Sequence, residues 1–127
     1  MSDVRQWDVF LVPWSSRSTG RQSPHYVVVV QADSVSRDCA TVFVVPMTTS
    51  SKAKPGVRAT ETPVRKRTDN DLQHDSIAMA WQAAAVEKHA LDSRRRVGRV
   101  SAEAEAGIRL SLARRFGTAP EMPGMAR

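Results

Sequence analysis

The chain has 127 residues, of which 41% are hydrophobic and 25% charged, a length and balance that predict one globular domain with one hydrophobic core. Nineteen Lys and Arg against thirteen Asp and Glu leave a formal net charge of +6, which suits a nucleic acid and an acidic protein partner equally well. The single cysteine, Cys39, excludes an internal disulfide and a metal site built from several thiolates. The sequence has no signal-peptide core, and no apolar run approaches the roughly 20 residues of a membrane span. We therefore expect a cytoplasmic protein without membrane contact.

The first segments predict two strands joined by a long loop. Residues 7–12 alternate with period two and predict a strand that ends at Pro13, because proline has no N–H for a ladder. Residues 13–24 are polar and predict a flexible loop of a length that is often functional. Residues 25–31 contain four consecutive valines and predict a strand buried on both faces, followed by a polar turn at 32–38.

The middle of the chain predicts shorter and more exposed pieces. Residues 41–45 predict a third strand that Pro46 stops, and residues 47–56 predict a second polar loop, rich in Ser, Thr and Lys. Residues 57–62 alternate between polar and apolar side chains as an exposed edge strand does. Residues 63–75 carry clustered basic and acidic side chains and predict the least regular internal segment.

The last third predicts two strands and a helix. Residues 77–81 and 97–100 predict strands, and residues 86–91 predict a turn or a short helical piece. Ser101 is a favourable N-cap for the helix, acidic side chains follow in its first turn, and Gly117 suits the position just past its end. One face carries apolar residues four apart, namely Ala104, Ile108 and Leu112.

This order of elements predicts a mainly β protein with one α-helix. Five or more short strands favour a small, strongly bent antiparallel barrel, because closing a barrel hides the strand edges. The C-terminal helix is expected to plug one opening of that barrel. We expect the domain to span residues 1–117 and residues 118–127, with two prolines and a glycine, to form a disordered tail.

Five segments, in this order, resemble the MazF/PemK toxins, the ribosome-independent ribonucleases of bacterial toxin–antitoxin pairs. They are Trp-Asp-Val-Phe-Leu-Val at 7–12, His-Tyr-Val-Val-Val-Val-Gln at 25–31, Val-Val-Pro-Met-Thr-Thr-Ser-Ser-Lys at 44–52, the strand segment at 76–82, and Arg-Val-Gly-Arg-Val-Ser at 96–101. The likeness covers residues 7–116 and implies the SH3-like barrel that the CcdB-like toxins share, assembled as a homodimer.

The resemblance also implies metal-independent cleavage of single-stranded RNA with no cofactor. The ribose 2′-OH attacks the adjacent phosphorus and leaves a 2′,3′-cyclic phosphate and a 5′-OH end. Such a reaction needs a base near the 2′-OH, a cation or donors for the extra negative charge, and a held in-line geometry. The implied partners are single-stranded RNA and an antitoxin whose acidic, disordered C-terminal segment occupies the RNA groove.

The likeness assigns catalytic roles to a few residues. Thr48 matches the family's catalytic threonine, whereas Tyr26 stands near the place of its catalytic arginine. Two replacements for the arginine stay open. Arg21 or Arg17 can reach in from the preceding loop as the phosphate-stabilising cation, or His25 can act as acid or base with Tyr26 as donor or stacking platform.

Several polar and basic residues are expected to contact RNA around the threonine. This set comprises Arg17, Thr49, Ser50, Lys52, Lys54 and Gln82, and Arg58 and the basic run at 65–67 border the same groove. Trp81 is assigned to the core. Trp14 can stack on a base or close the barrel mouth, and the second role is favoured. Because the arginine is displaced, a barrel that binds RNA or a protein without cleavage stays open, as does, in last place, a gyrase-targeting toxin of the same fold.

Overall fold

A computed structural model describes residues 4–15, 20, 22–49, 60–65, 72, 74–92 and 95–118. Its elements are β1 (Asp8–Ser15), β2 (Gln22–Val29), α1 (Asp33–Ser36), β3 (Thr41–Thr49), β4 (Glu61–Val64), β5 (Ser76–Met79), a 3-10 turn (Ala80–Gln82), β6 (Ala84–Glu87), a second 3-10 turn (Lys88–Ala90), β7 (Arg96–Arg99) and α2 (Ala102–Arg115). The strands form one antiparallel sheet in the order β4-β5-β3-β2-β1-β7, and β6 also pairs with β3. The sheet curls into a half-barrel that carries α2, which confirms the predicted fold class.

The β1–β2 hairpin is longer than the sequence indicates. β1 continues through Pro13 to Ser15, and Pro13 lies directly opposite Pro24 of β2. β7 pairs only with the first three residues of β1, so among the described residues no third strand lies beside Pro13 to need its N–H. The prediction that the strand ends at Pro13 is therefore wrong, and half of the predicted loop at 13–24 belongs to strands.

Strand β3 also continues beyond its proline. It runs through Pro46 to Thr49, so Thr48 and Thr49 belong to a strand and not to the predicted loop at 47–56. Residues 50–56 of that loop and the first half of the predicted edge strand at 57–62 lie outside the described residues. The strand found in this region, β4, lies partly in the segment predicted to be irregular.

The neighbouring strands explain why Pro46 is tolerated. The carbonyl of Phe43 accepts a hydrogen bond from the Val30 N–H, so the backbone groups of Phe43 point towards β2. Because backbone groups alternate along a strand, those of Val44 and Pro46 point towards β5 and β6. On that edge Met47 pairs with Ala78 and Val44 with Ala84, and the first 3-10 turn interrupts the ladder between them. Pro46 lies opposite this interruption, where no ladder hydrogen bond depends on it.

Two short elements were not distinguished in the sequence. The predicted polar turn at 32–38 contains α1. The predicted turn or helical piece at 86–91 begins inside β6 and contains the second 3-10 turn. β6 begins with two alanines that are only half-buried or exposed, which gives no hydrophobic alternation to read. Its pairing with β3 therefore depends on tertiary structure.

Helix α2 agrees with its prediction. The Ser101 hydroxyl accepts a hydrogen bond from the Ala104 N–H at 3.2 Å, and Gly117 has the positive φ of +74° expected after a helix. Ala104, Ile108 and Ser111 form its buried face. The Ser111 hydroxyl lies 2.7 Å from the hydroxyl of Thr62 in β4, which fastens the helix to the sheet.

The sheet buries both of its faces, and alternate residues of each strand contribute to different clusters. The first cluster lies under α2 and contains Trp7, Val9, Val28, Val45, Met47, Val64, Leu72, Ala78, Val100, Ala104 and Ile108. The second lies on the other face and contains Phe10, Val12, Val27, Val29, Val42, Val44 and Leu91. Within the described ranges, no helix has the length and hydrophobicity needed to cross a bilayer.

Candidate functional site

An open groove of about 750 Å³ extends the second cluster beyond its buried part. The ends of β1, β2 and β3, the first 3-10 turn, β6 and the end of α2 form its walls. Its described lining residues are Pro13, Trp14, Ser15, His25, Thr48, Met79, Trp81, Gln82, Ala83, Ala84, Ala85, Val86 and Arg115. Thr48, His25 and Gln82, three of the residues singled out in the sequence, therefore share one groove.

Thr48 and His25 reach the groove from adjacent strands. The paired register of β2 and β3 ends at Val27 and Pro46, and His25 and Thr48 each lie two residues beyond that pair on their own strands. Both lie on the same face as the second cluster, because side chains two residues apart in a strand point the same way. Thr48 is half-buried, and no hydrogen bond joins its hydroxyl to another of the described residues.

His25 is held by its neighbour Ser23. Its Nδ1 lies 3.2 Å from the Ser23 carbonyl oxygen and 3.3 Å from the Ser23 hydroxyl. A hydrogen bond to the carbonyl oxygen needs a proton on Nδ1, whereas a hydrogen bond from the Ser23 hydroxyl needs Nδ1 unprotonated. In the tautomer that donates to the carbonyl, Nε2 is unprotonated and can accept a proton from a substrate.

Tyr26 and Thr49 face away from this groove. Each is one residue removed from a lining residue, and strand alternation sends it to the opposite face of the sheet. Tyr26 packs against the first cluster. Tyr26 therefore lies on the face of the sheet opposite to Thr48 and His25. The expectation that Tyr26 and His25 act together in one site is not met.

Two tryptophans line the groove. Trp14 is half-buried, packs against the second cluster and also reaches the groove. Trp81 is 39% exposed, so its assignment to the core is wrong. β5 ends at Met79, and the 3-10 turn takes Trp81 out of the strand alternation on which that assignment depended. The indole N–H of Trp81 donates to Glu61 Oε2 at 3.1 Å.

Gln82 and Arg115 complete the polar part of the lining. The Gln82 amide nitrogen lies 3.7 Å from the Met79 sulfur. Arg115, from the last turn of α2, donates from Nη1 to the Ala80 carbonyl oxygen at 3.0 Å. Sequence reasoning assigned no site role to Arg115, because a basic residue in a last helical turn already complements the helix dipole.

The remaining predicted RNA contacts fall on parts of the chain that are not described. Arg17, Arg21, Ser50, Lys52 and Lys54 lie outside the described residues, as do Arg58 and positions 66–67 of the basic run. Among the other basic residues, the Arg96 guanidinium forms an ion pair with the buried carboxylate of Asp8 at 3.1 Å and joins β7 to β1. Arg95 lines a separate cavity of about 450 Å³ beside the β1–β2 hairpin. Across the described ranges, no three His, Cys, Asp or Glu side chains converge as metal ligands do.

The fold and groove define a small half-barrel protein of the MazF type. Its structure is similar to an endoribonuclease in complex with its cognate antitoxin from a mycobacterial species, with a TM-score of 0.67 and 17% identity over 91% of this chain and 97% of that one. It is similar to the Mycobacterium tuberculosis toxin MazF-mt6, with a TM-score of 0.64 and 19% identity over 87% and 98% of the two chains. A MazE–MazF complex from Deinococcus radiodurans gives a TM-score of 0.65 and 11% identity over 91% and 98%. No curated protein matches the sequence.

The sequence decides the family. Residues 5–116 match the family described as the PemK-like, MazF-like toxin of type II toxin–antitoxin systems. This chain belongs to that family, as the five sequence segments indicated.

Proposed function

We propose that the chain is a metal-independent endoribonuclease, the toxin of a type II toxin–antitoxin pair, and that it cleaves single-stranded RNA in the groove that contains Thr48. The observation that carries this proposal is the meeting of the Thr48 hydroxyl and the His25 imidazole from adjacent strands on one open groove. A hydroxyl and a tautomer with a basic nitrogen are two of the groups that 2′-OH attack requires.

The roles follow from the chemistry of each side chain. His25 Nε2 takes the proton from the 2′-OH while the 2′-oxygen forms its bond to phosphorus. The bond from phosphorus to the 5′-oxygen breaks, and the leaving oxygen takes a proton from water. The Thr48 hydroxyl donates to a phosphate oxygen and holds the in-line geometry. The products are a 2′,3′-cyclic phosphate and a 5′-OH end.

The groove also offers contacts to bases. The exposed face of Trp81 and the groove-facing part of Trp14 present aromatic surface on which unpaired bases stack, at about 1–3 kcal/mol per base. The Gln82 amide presents both a donor and an acceptor for a base edge. Such a surface suits single-stranded RNA, whose bases are free to turn outward, better than a duplex.

The partner and assembly are part of the same proposal. We propose a cognate antitoxin with an acidic disordered segment, because such a segment is a polyanion, as RNA is, and the chain carries +6. The solved relatives include toxins bound to antitoxins. We further propose a homodimer in the cytoplasm, where the RNA substrate is found.

The direct test is cleavage of a long single-stranded transcript in the presence of EDTA. We expect discrete fragments whose 5′ ends are hydroxyls, detected by end sequencing with and without kinase treatment. Thr48→Val removes the hydroxyl and keeps the β-branched shape, so it should lower kcat by about 10²- to 10³-fold without loss of fold. Thr41→Val, at the exposed opposite end of β3, is the matched control and should cleave as the wild type does.

One observation favours a second function. Tyr26, which stands near the family's arginine, packs on the first cluster and leaves no cation at the start of β2 within the described residues. A barrel that binds RNA or a protein without cleavage would retain RNA in a filter-binding assay and give no fragments in EDTA. That outcome would replace the nuclease proposal with the binding one.

A further inference from the structure

Arg115 is the one basic side chain among the described residues that line the groove, apart from the imidazole of His25. Helix geometry explains its position. Ala104, Ile108 and Ser111 are buried against the sheet, and Arg115 continues the same stripe by four residues at the point where the core ends. Its side chain therefore leaves the buried face of α2 at the margin of the groove.

A hydrogen bond fixes where the guanidinium lies. Nη1 of Arg115 donates to the carbonyl oxygen of Ala80 at 3.0 Å, in the 3-10 turn that also carries Trp81 and Gln82. The charge is thus held at the wall of the groove that presents the base-binding side chains. A guanidinium carries five N–H donors, so this contact leaves most of them for a ligand.

The charge of Arg115 is not neutralised within the described part of the chain. Two other arginines there form ion pairs, Arg96 with Asp8 at 3.1 Å and Arg109 with Glu105 at 3.3 Å. No described carboxylate forms an ion pair with Arg115, and no Asp or Glu is among the described lining residues. A fixed, uncompensated guanidinium in a groove is suited to bidentate contact with a phosphate.

We propose that Arg115 is the phosphate-binding cation of this groove and that it holds the RNA phosphate beside Thr48 and offsets the charge that develops there. This inference rests on the proposed nuclease function. It assigns the stabilising cation to the end of α2, whereas the sequence predicted an arginine, Arg17 or Arg21, from the loop before β2. The proposed cation comes from α2, whereas His25 and Thr48 come from β2 and β3.

Cleavage by matched variants tests the inference. Arg115→Gln removes the charge and keeps a donor for the Ala80 carbonyl, and we expect kcat/KM on a long single-stranded transcript to fall about 10²- to 10³-fold. Arg115→Lys keeps the charge without the planar fork and should recover part of that loss. Arg114→Gln makes the same change of charge one residue away, outside the described lining, and should retain the wild-type kcat/KM.

Salt dependence separates phosphate contact from a structural role. Binding of a short 2′-O-methylated single-stranded RNA of randomised sequence is measured over a range of salt concentrations, because this probe cannot undergo 2′-OH attack. Loss of one phosphate contact should reduce the slope of log K against log salt concentration by about 0.7 in Arg115→Gln and leave it unchanged in Arg114→Gln. Equal slopes and equal kcat/KM for the two variants would overturn the inference, even if Arg115→Gln had a lower Tm.

Failure of this inference differs from failure of the proposed function. If the wild-type protein produces no fragments, the nuclease assignment fails, and the salt slope of Arg115→Gln still decides whether Arg115 binds phosphate. If the wild type cleaves and Arg115→Gln cleaves equally well, only the role of Arg115 is rejected. Should Arg115→Gln lose cooperative unfolding, Arg115→Lys decides: a reduced kcat/KM supports the inference, and the wild-type value overturns it.

Discussion

Neighbouring residues at the start of β2 have opposite environments. His25 lies on the groove, whereas Tyr26 packs against the core under α2. The sequence shows both side chains just before four valines and gives no reason to prefer one. The choice is made by the pleat, since the residues that share a face with Val27 and Val29 reach the groove and those that share a face with Val28 do not.

The position of His25 leads to a prediction about catalysis. Replacing His25 with Gln keeps hydrogen-bonding capacity and removes the basic Nε2. If this nitrogen takes the 2′ proton, kcat should fall by about 10²- to 10⁴-fold, the range for loss of a general base, with a smaller effect on KM. Steady-state kinetics on the transcript used for Thr48→Val measures both quantities.

Another histidine provides the control for this prediction. His89 is exposed, lies 4.0 Å from Glu87 and does not line the groove. His89→Gln should leave kcat unchanged. A His25→Gln protein that cleaves at the wild-type rate would show that another group is the base, and Tyr26 would not be its replacement because it faces the other side of the sheet.

At the scale of elements, the prolines show how local interpretation fails. Pro13 and Pro46 each predict the end of a strand, and each lies inside one. A proline stops a strand only where a neighbouring strand needs its N–H, and in the described part of the chain neither proline has such a neighbour on the relevant edge. The continuation of β3 past Pro46 is what brings Thr48 into a rigid strand beside the groove.

The contact between α2 and β4 leads to a second prediction. A Cβ added to Gly107 would lie 2.5 Å from the Thr62 methyl carbon, and the hydroxyl contact with Ser111 keeps Thr62 from turning away. Alanine gains about 1 kcal/mol over glycine in a helix, whereas overpacking costs about 1–3 kcal/mol. Gly107→Ala should therefore lower the free energy of unfolding by up to about 2 kcal/mol, measured by urea denaturation.

The same substitution should have the opposite effect once the obstructing methyl group is removed. Thr62→Ser deletes that carbon and retains the hydroxyl that meets Ser111 at 2.7 Å. In this background Gly107→Ala should stabilise the protein, because the helix propensity is then the larger effect. A destabilisation of equal size in both backgrounds would show that α2 and β4 do not pack as described.

At the scale of the whole molecule, the two hydrophobic clusters on opposite faces of the sheet differ in their exposure to solvent. The first is covered by α2 and is closed, and the second opens into the groove between the strand ends. The β1–β3 strands contribute to both clusters, so the groove-facing residues are supported by the packing under the helix. A substitution that disrupts the packing under α2 should therefore destabilise the whole fold, including the groove.

Ile108 provides the test at this scale. It is 1% exposed in the cluster beneath α2, so Ile108→Asp buries an unpaired charge whose cost is comparable to the roughly 5–15 kcal/mol stability of a small protein. We expect the cooperative thermal transition to disappear. Leu110→Asp introduces the same carboxylate on the same helix at a residue that is 41% exposed, and it should leave Tm nearly unchanged.

An Ile108→Asp protein with a wild-type Tm would contradict the assignment of α2 as the cover of the first cluster. Near-ultraviolet circular dichroism, which reports on Trp7 in that cluster, provides a second measurement. Loss of that signal in Ile108→Asp and its retention in Leu110→Asp is the expected pair of results.

The sequence by itself determined the elements that depend on local chemistry. The Ser101 cap, the apolar stripe of α2, Gly117 and the valine run predict their elements because capping, helical period and β-branching act within a few residues. Five ordered segments were enough to indicate the family.

Tertiary structure alone decided which side chains share the groove. The common groove of His25 and Thr48, the turn that exposes Trp81 and the hydrogen bond that holds Arg115 each depend on pairing or packing between segments far apart in the chain. These spatial relations cannot be predicted from neighbouring residues in the sequence. They depend on which face of a strand a side chain occupies and on where the helix packs, and both are fixed only when distant parts of the chain bury a common core.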